Sequence, residues 1–169
     1  MKKNIEFFGK DYPKLNLSKF TTKFPVVENF SLKNTQLPDV LDVSTFYKLK
    51  VLDLTGSITK YVKFPDTGNL TTVILPASIT KFTIYNNPEL TEVKFASKDK
   101  LEEIFIDGSK CGKFDVAKFC EDLILNTKLT SVTLRNCNIS ITEEALLNLI
   151  RRETCNLNGS NIKIIDELG

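Results

Sequence analysis

Apolar residues recur along most of the chain in one short phrase, apolar-x-x-apolar-x-apolar. It occurs at Val27/Phe30/Leu32, Leu49/Leu52/Leu54, Leu70/Val73/Leu75 and Ile79/Phe82/Ile84. It occurs again at Leu90/Val93/Phe95, Leu101/Ile104/Ile106 and Leu129/Val132/Leu134. A degenerate last copy places Ile162 and Ile164 on a strand, with Gly159 in the first slot. Residues two apart on a strand face the same side, so the last two apolar positions of each phrase point inward together. The first enters the core from the preceding turn. One such unit cannot bury its own face, but a stack can. The pattern therefore predicts short parallel strands stacked one on another.

The phrases start 22, 21, 9, 11, 11, 28 and 30 residues apart. Between Leu70 and Leu101 the steps are too short for a helix, and Pro76, Asn86-Asn87-Pro88 and Asp107-Gly108 supply tight-turn chemistry. The two C-terminal steps leave room for a helix each. Residues Asp115 to Asn126 carry the helical stripe Val116, Phe119, Cys120 and Leu123. Residues Ile141 to Glu153 carry Ala145, Leu146, Leu149 and Ile150. Ser140 stands three residues before Glu143, a capping-box spacing, with Thr142 as a rival cap. Glu143 and Glu144 at the start and Arg151 and Arg152 at the end suit the helix dipole. Three residues after the last inward position of a phrase come Thr35, Asn87, Ser109 and Cys137, a slot for a buried polar side chain bonded to turn backbone.

The run Leu129-Thr-Ser-Val132-Thr-Leu134-Arg-Asn-Cys137-Asn-Ile139 resembles a leucine-rich repeat over its full spacing. That general resemblance spans residues 27 to 165. The segment Leu70-Thr-Thr-Val-Ile-Leu-Pro76-Ala-Ser78-Ile79-Thr80 looks like the repeats of the BspA-like, or Treponema pallidum-type, family, a match confined to Leu70–Leu101. The C-terminal third is similar to longer, helix-bearing repeats of the ribonuclease-inhibitor type. The resemblance implies an α/β solenoid: a leucine-rich-repeat horseshoe with a parallel concave sheet, tight turns in the middle repeats and two convex helices near the C-terminus. It also implies a non-enzymatic role in adhesion or protein recognition. Residues 1–26 fit the phrase poorly. Leu15 and Leu17 alternate like a short strand, and Phe7, Phe8, Phe20 and Phe24 need burial, so this stretch reads as an N-terminal cap on a solenoid over 27–169.

Charge narrows the partners. Basic and acidic residues number 23 and 21, for a net charge of +2, and they are interleaved. Neither a nucleic-acid footprint nor a polybasic membrane patch results. Arg, the usual residue for bidentate phosphate or base recognition, occurs only at 135, 151 and 152. No apolar run approaches the roughly 18 residues of a membrane span. The basic start lacks the apolar stretch of about 7–15 residues of a signal peptide, so the chain reads as cytoplasmic or part of a larger assembly. Cys111, Cys120, Cys137 and Cys155 lack zinc spacing, there is no His, and the thiols read as buried apolar residues. No cofactor or metal is expected. No phosphate loop, GxSxG or HExxH occurs, and Glu102-Glu103 and Glu143-Glu144 are sequence neighbours, so the chain is not expected to be an enzyme.

What remains is the outward face of the strands. Most of its members, Thr above all, are ordinary solvent-facing strand residues. The exceptions are Ile74, Tyr85 and Phe105, apolar groups that can mark an interface, with Lys81, Lys94, Asp107 and Arg135 as its polar rim. The expectation is that all seven share one concave sheet and bind a protein partner. The alternative is a structural subunit, of a cell surface or viral particle, that docks through an uncovered C-terminal end near Ile162 to Leu168.

Overall fold

The computed structural model of the chain describes residues 3–8, 16–17, 26–66, 68–121, 123 and 126–166. Nine strands precede the first helix: β1 Asn4–Phe8, β2 Asn29–Lys33, β3 Val40–Asp42, β4 Val51–Asp53, β5 Tyr61–Lys63, β6 Thr72–Leu75, β7 Lys81–Ile84, β8 Glu92–Phe95 and β9 Glu103–Asp107. Helix α1, Val116–Cys120, follows, then β10 Ser131–Arg135, β11 Asn138–Ile141, helix α2 Glu143–Ile150, β12 Thr154–Asn156 and β13 Asn161–Ile164. All strand pairings are parallel.

From β2 to β9 successive strands do not pair with one another, whereas β1 pairs with β2 and β9 with β10. Strands β2 to β9 alternate between two sheets, a first of order β1-β2-β4-β6-β8 and a second of order β12-β10-β9-β7-β5-β3. A short third sheet pairs β11 with β13. The 9- and 11-residue steps are therefore half-turns of the chain. From β2 to β9 register partners of the same sheet stand 20 to 22 apart, as in Asn29–Val51, Val51–Thr72 and Thr72–Glu92. The expectation of a single sheet carrying every phrase is corrected accordingly. Two units escaped the pattern, Pro38-x-x-Leu41-x-Val43 and Thr59-x-x-Val62-x-Phe64. Their first slots hold Pro and Thr instead of an aliphatic residue, yet they form β3 and β5.

The inward residues of both sheets join one core. In the first sheet Ile5, Phe30, Leu52, Val73 and Val93 stand in register. In the second, Phe82, Ile104, Val132 and Cys155 do the same. The first sheet ends at β8, and there α1 takes over the covering role. Phe119 of α1 lies 5.4 Å from Phe82 and 5.8 Å from Phe95, while Phe82 and Phe95 are 5.5 Å apart. Aromatic pairs at these separations add to the burial of their area.

Both expected helices form, shorter than the stripes suggested. The Asp115 side chain accepts from the Lys118 amide and caps α1. For α2 the rival cap prevails: Thr142 accepts from the Ala145 amide at 3.2 Å, and Ser140 lies within β11. The polar slot holds at three of four positions. Thr35 and Cys137 are buried, and the buried Asn87 amide donates to Pro65 and Tyr85 carbonyls, both at 2.9 Å. Ser109 instead is exposed, because a 3-10 turn over Gly108–Lys110 swings it outward and Cys111 takes the inward place.

Of the expected N-terminal cap, β1 extends the first sheet and Leu17 is buried. Leu15, Phe20, Phe24 and, at the other end, Leu168 lie outside the described residues. Among the described residues no helix is long and apolar enough to cross a membrane.

Candidate functional site

Strand alternation divides the seven expected site residues. Ile74 on β6 and Lys94 on β8 belong to the first sheet, in register with Asp53. Lys81, Tyr85, Phe105, Asp107 and Arg135 belong to the second or to the turn directly after β7. The two groups occupy different sheets, so the seven do not form one patch. Lys94 is engaged within its own strand, where Glu92 lies 2.8 Å away; the hydrogen bond to Glu92 and then its charge hold the Lys94 ammonium above its ordinary pKa.

The second sheet gathers the aromatic side chains. Tyr61 is the register partner of Lys81, whose ammonium stands 5.0 Å from the Tyr61 ring centre and 3.6 Å from Glu103. Phe105 pairs in register with Thr83 and Thr133. Tyr85, 44% exposed, meets Phe105 edge to face at 6.4 Å. Asp107 and Arg135 are register partners at one end of the row. Burial pushes the Asp107 carboxyl up, but the Ser109 hydroxyl, the Asn136 amide, the Ser109 N–H and the Arg135 charge outweigh it and hold the group below its ordinary value.

Beside this row the surface sinks into a pocket of about 460 Å³, lined by Ser44, Tyr61, Lys63, Phe64, Pro65, Asp66, Thr83 and Tyr85. Sequence reasoning missed Tyr61, Lys63 and Asp66, because they sit on or just after the unit whose first slot is Thr59. The signal was present as the 20-residue offset that carries Tyr61 onto Lys81.

Cys111, Cys120 and Cys137 are buried, and Cys155 is partly covered. Burial pushes the Cys120 thiol up to about 12, and burial also raises Cys111, Cys137 and Cys155. Among the described residues no group of three or more His, Cys, Asp or Glu side chains could hold a metal ion.

Comparison with known proteins found no family model, no curated protein and no solved structure that the chain matches.

Proposed function

We propose that this chain is a leucine-rich-repeat binding module of BspA-like character that recognises a protein partner without catalysis. In this reading the stack curves as a horseshoe whose concave face is the second sheet, the six-stranded one. The observation that carries the proposal is the aromatic group Tyr61 and Phe105 on that sheet and Tyr85 in the turn after β7, with the register pairs Lys81–Glu103 and Asp107–Arg135 beside it. Aromatic anchors inside a charged rim are the common anatomy of a recognition patch. The 20- to 22-residue offset between register partners from β2 to β9 and the buried polar slot at Thr35, Asn87 and Cys137 support the repeat reading.

The test is affinity capture with three proteins: the parent, Tyr85→Ala/Phe105→Ala, and Ile74→Ala/Lys94→Ala as a control on the other sheet. The expected result is one partner held by the parent and the control and weakened at least about 10-fold by the aromatic double variant, given the weight of such anchors. Equal retention by both variants would remove the second sheet from the proposal.

A second reading rests on a different observation. Ile162 and Ile164 of β13 are 39% and 51% exposed, while their register partners Ile139 and Ile141 of β11 are buried. Among the described residues β13 pairs with β11 alone, so these inward-facing residues lie open beside a strand edge. This favours an assembly component that docks there. Light scattering across a concentration series separates the readings. Self-association abolished by Ile164→Lys supports docking; a monomer at every concentration counts against a self-docking end.

A further inference from the structure

The pocket beside β5 shares Tyr61 and Tyr85 with the aromatic patch and adds polar groups of its own. It contains two phenols, the Ser44 and Thr83 hydroxyls, the Lys63 ammonium and the Asp66 carboxylate, with Phe64 and Pro65 as apolar wall. Lys63 and Asp66 form no ion pair with any described residue. The Ser44 hydroxyl donates to Asp42 at 2.5 Å, which leaves its lone pairs as acceptors. A volume of about 460 Å³ lies within the range of small-molecule sites.

Charge rules out most occupants. An anionic ligand would gain Lys63 but would face Asp66, and also Asp42, the register partner of Lys63. A cationic ligand would face Lys63, and Lys81 above Tyr61. An apolar side chain from a partner would strip water from Lys63 and Asp66 and give neither a partner, which is costly. A neutral polyol avoids all three penalties. Each of its hydroxyls both donates and accepts, so it can use an ammonium and a carboxylate in the same site. Its C–H faces can lie against the Tyr61 and Tyr85 rings.

We infer that this pocket is a carbohydrate subsite for one or two neutral pyranose rings, with Asp66 accepting from ring hydroxyls, Lys63 donating to them, and Tyr61 and Tyr85 supplying the apolar platform. The subsite shares Tyr61 and Tyr85 with the protein-recognition reading, but Lys63 and Asp66 belong to the subsite alone and Phe105 to the recognition patch alone, so variants at Asp66 and Phe105 tell the two apart.

Saturation-transfer NMR on the intact chain tests it. The probes are glucose, galactose, mannose, N-acetylglucosamine and the α- and β-linked disaccharides of glucose, with a glutamate hexapeptide as anionic competitor. Transfer from protein aromatic protons to sugar ring protons is expected for at least one sugar. Asp66→Ala should weaken that sugar about 10-fold or more, as should Tyr85→Ala, and Ile74→Ala should leave it unchanged. Both pocket residues are exposed, and an unaltered circular-dichroism melt establishes that each variant folds. Absence of transfer from every sugar overturns the inference, as does transfer indifferent to Asp66→Ala. Displacement of the sugar by the hexapeptide also overturns it, by showing that Lys63 alone sets the ligand's charge. Loss of sugar binding in Asp66→Ala with protein capture intact separates this subsite from the aromatic row.

Discussion

At the scale of single residues, several of the turns carry a repeated device. Asn34, Asn86 and Asn136 adopt positive φ of 52°, 55° and 53°, and Gly56 and Gly159 adopt 70° and 73°. A Cβ on Gly56 would meet the side-chain oxygen of Asn34, and one on Gly159 that of Asn136, while the neighbouring backbone stands at 3.7 Å in both cases. The hydroxyl next to each glycine ties the coils together. Ser57 donates to the Leu32 carbonyl and accepts from the Thr35 N–H; Ser160 donates to the Leu134 carbonyl and accepts from the Cys137 N–H. Gly56→Ala should cost on the order of 1–3 kcal/mol in urea denaturation, since a φ of 70° strains any residue with a Cβ. An unchanged midpoint would show that the turn relaxes freely. Asp53 makes a second prediction. Burial pushes its carboxyl up, but the Thr55 hydroxyl, the Thr55 N–H and Lys33 outweigh burial and hold it below 3.8. A native value below the unfolded one means stability that is present above about pH 4 and lost as pH falls through the lower native value. The urea midpoint should fall below pH 4 less steeply in Asp53→Asn than in the parent. Parallel declines in the two proteins would discount this carboxylate.

At the scale of elements, the junction where the first sheet stops is held by aromatic packing. Phe82 of β7 touches Phe64 after β5, Phe95 of β8 and Phe119 of α1, and is itself 1% exposed. Lys98 reinforces the contact by donating to the Phe119 carbonyl at 2.9 Å. Phe82→Ala should destabilise by about 3–5 kcal/mol, because three elements lose a shared partner and a void remains. A loss below about 1.5 kcal/mol would mean that the helix collapses into the space. Arg152, just past α2, bonds the carbonyls of Leu123, Asn126 and Leu129 and the Asn148 side chain, and so fastens the end of α2 to the turn before β10. Helix existence was legible from the apolar stripes, and the α2 start from the run Ser140-Ile-Thr142-Glu143. Which hydroxyl caps was not legible, because the strand β11 claims Ser140 through its pairing with β13.

At the scale of the whole molecule, three thiols are buried in the continuous core and Cys155 is only partly covered on the edge strand β12. Brief maleimide labelling of the native chain, read by mass spectrometry, should mark Cys155 first and leave Cys111, Cys120 and Cys137 until global unfolding. Labelling of all four at one rate would show that the stack opens as a unit under native conditions. The chain's own pattern determined that the strands are short, parallel and buried on one face, since period-two apolar positions and tight-turn residues are local properties. It also marked Tyr85 and Phe105 as outward aromatics. Only tertiary structure decided which strands are neighbours. The phrase reads alike in either sheet, and assignment depends on whether the chain completes a half-turn or a full turn before the next strand. That choice placed Ile74 and Lys94 away from Tyr85. It also brought Tyr61, Lys63 and Asp66, from a unit whose leading residue is Thr, into the pocket beside Tyr85.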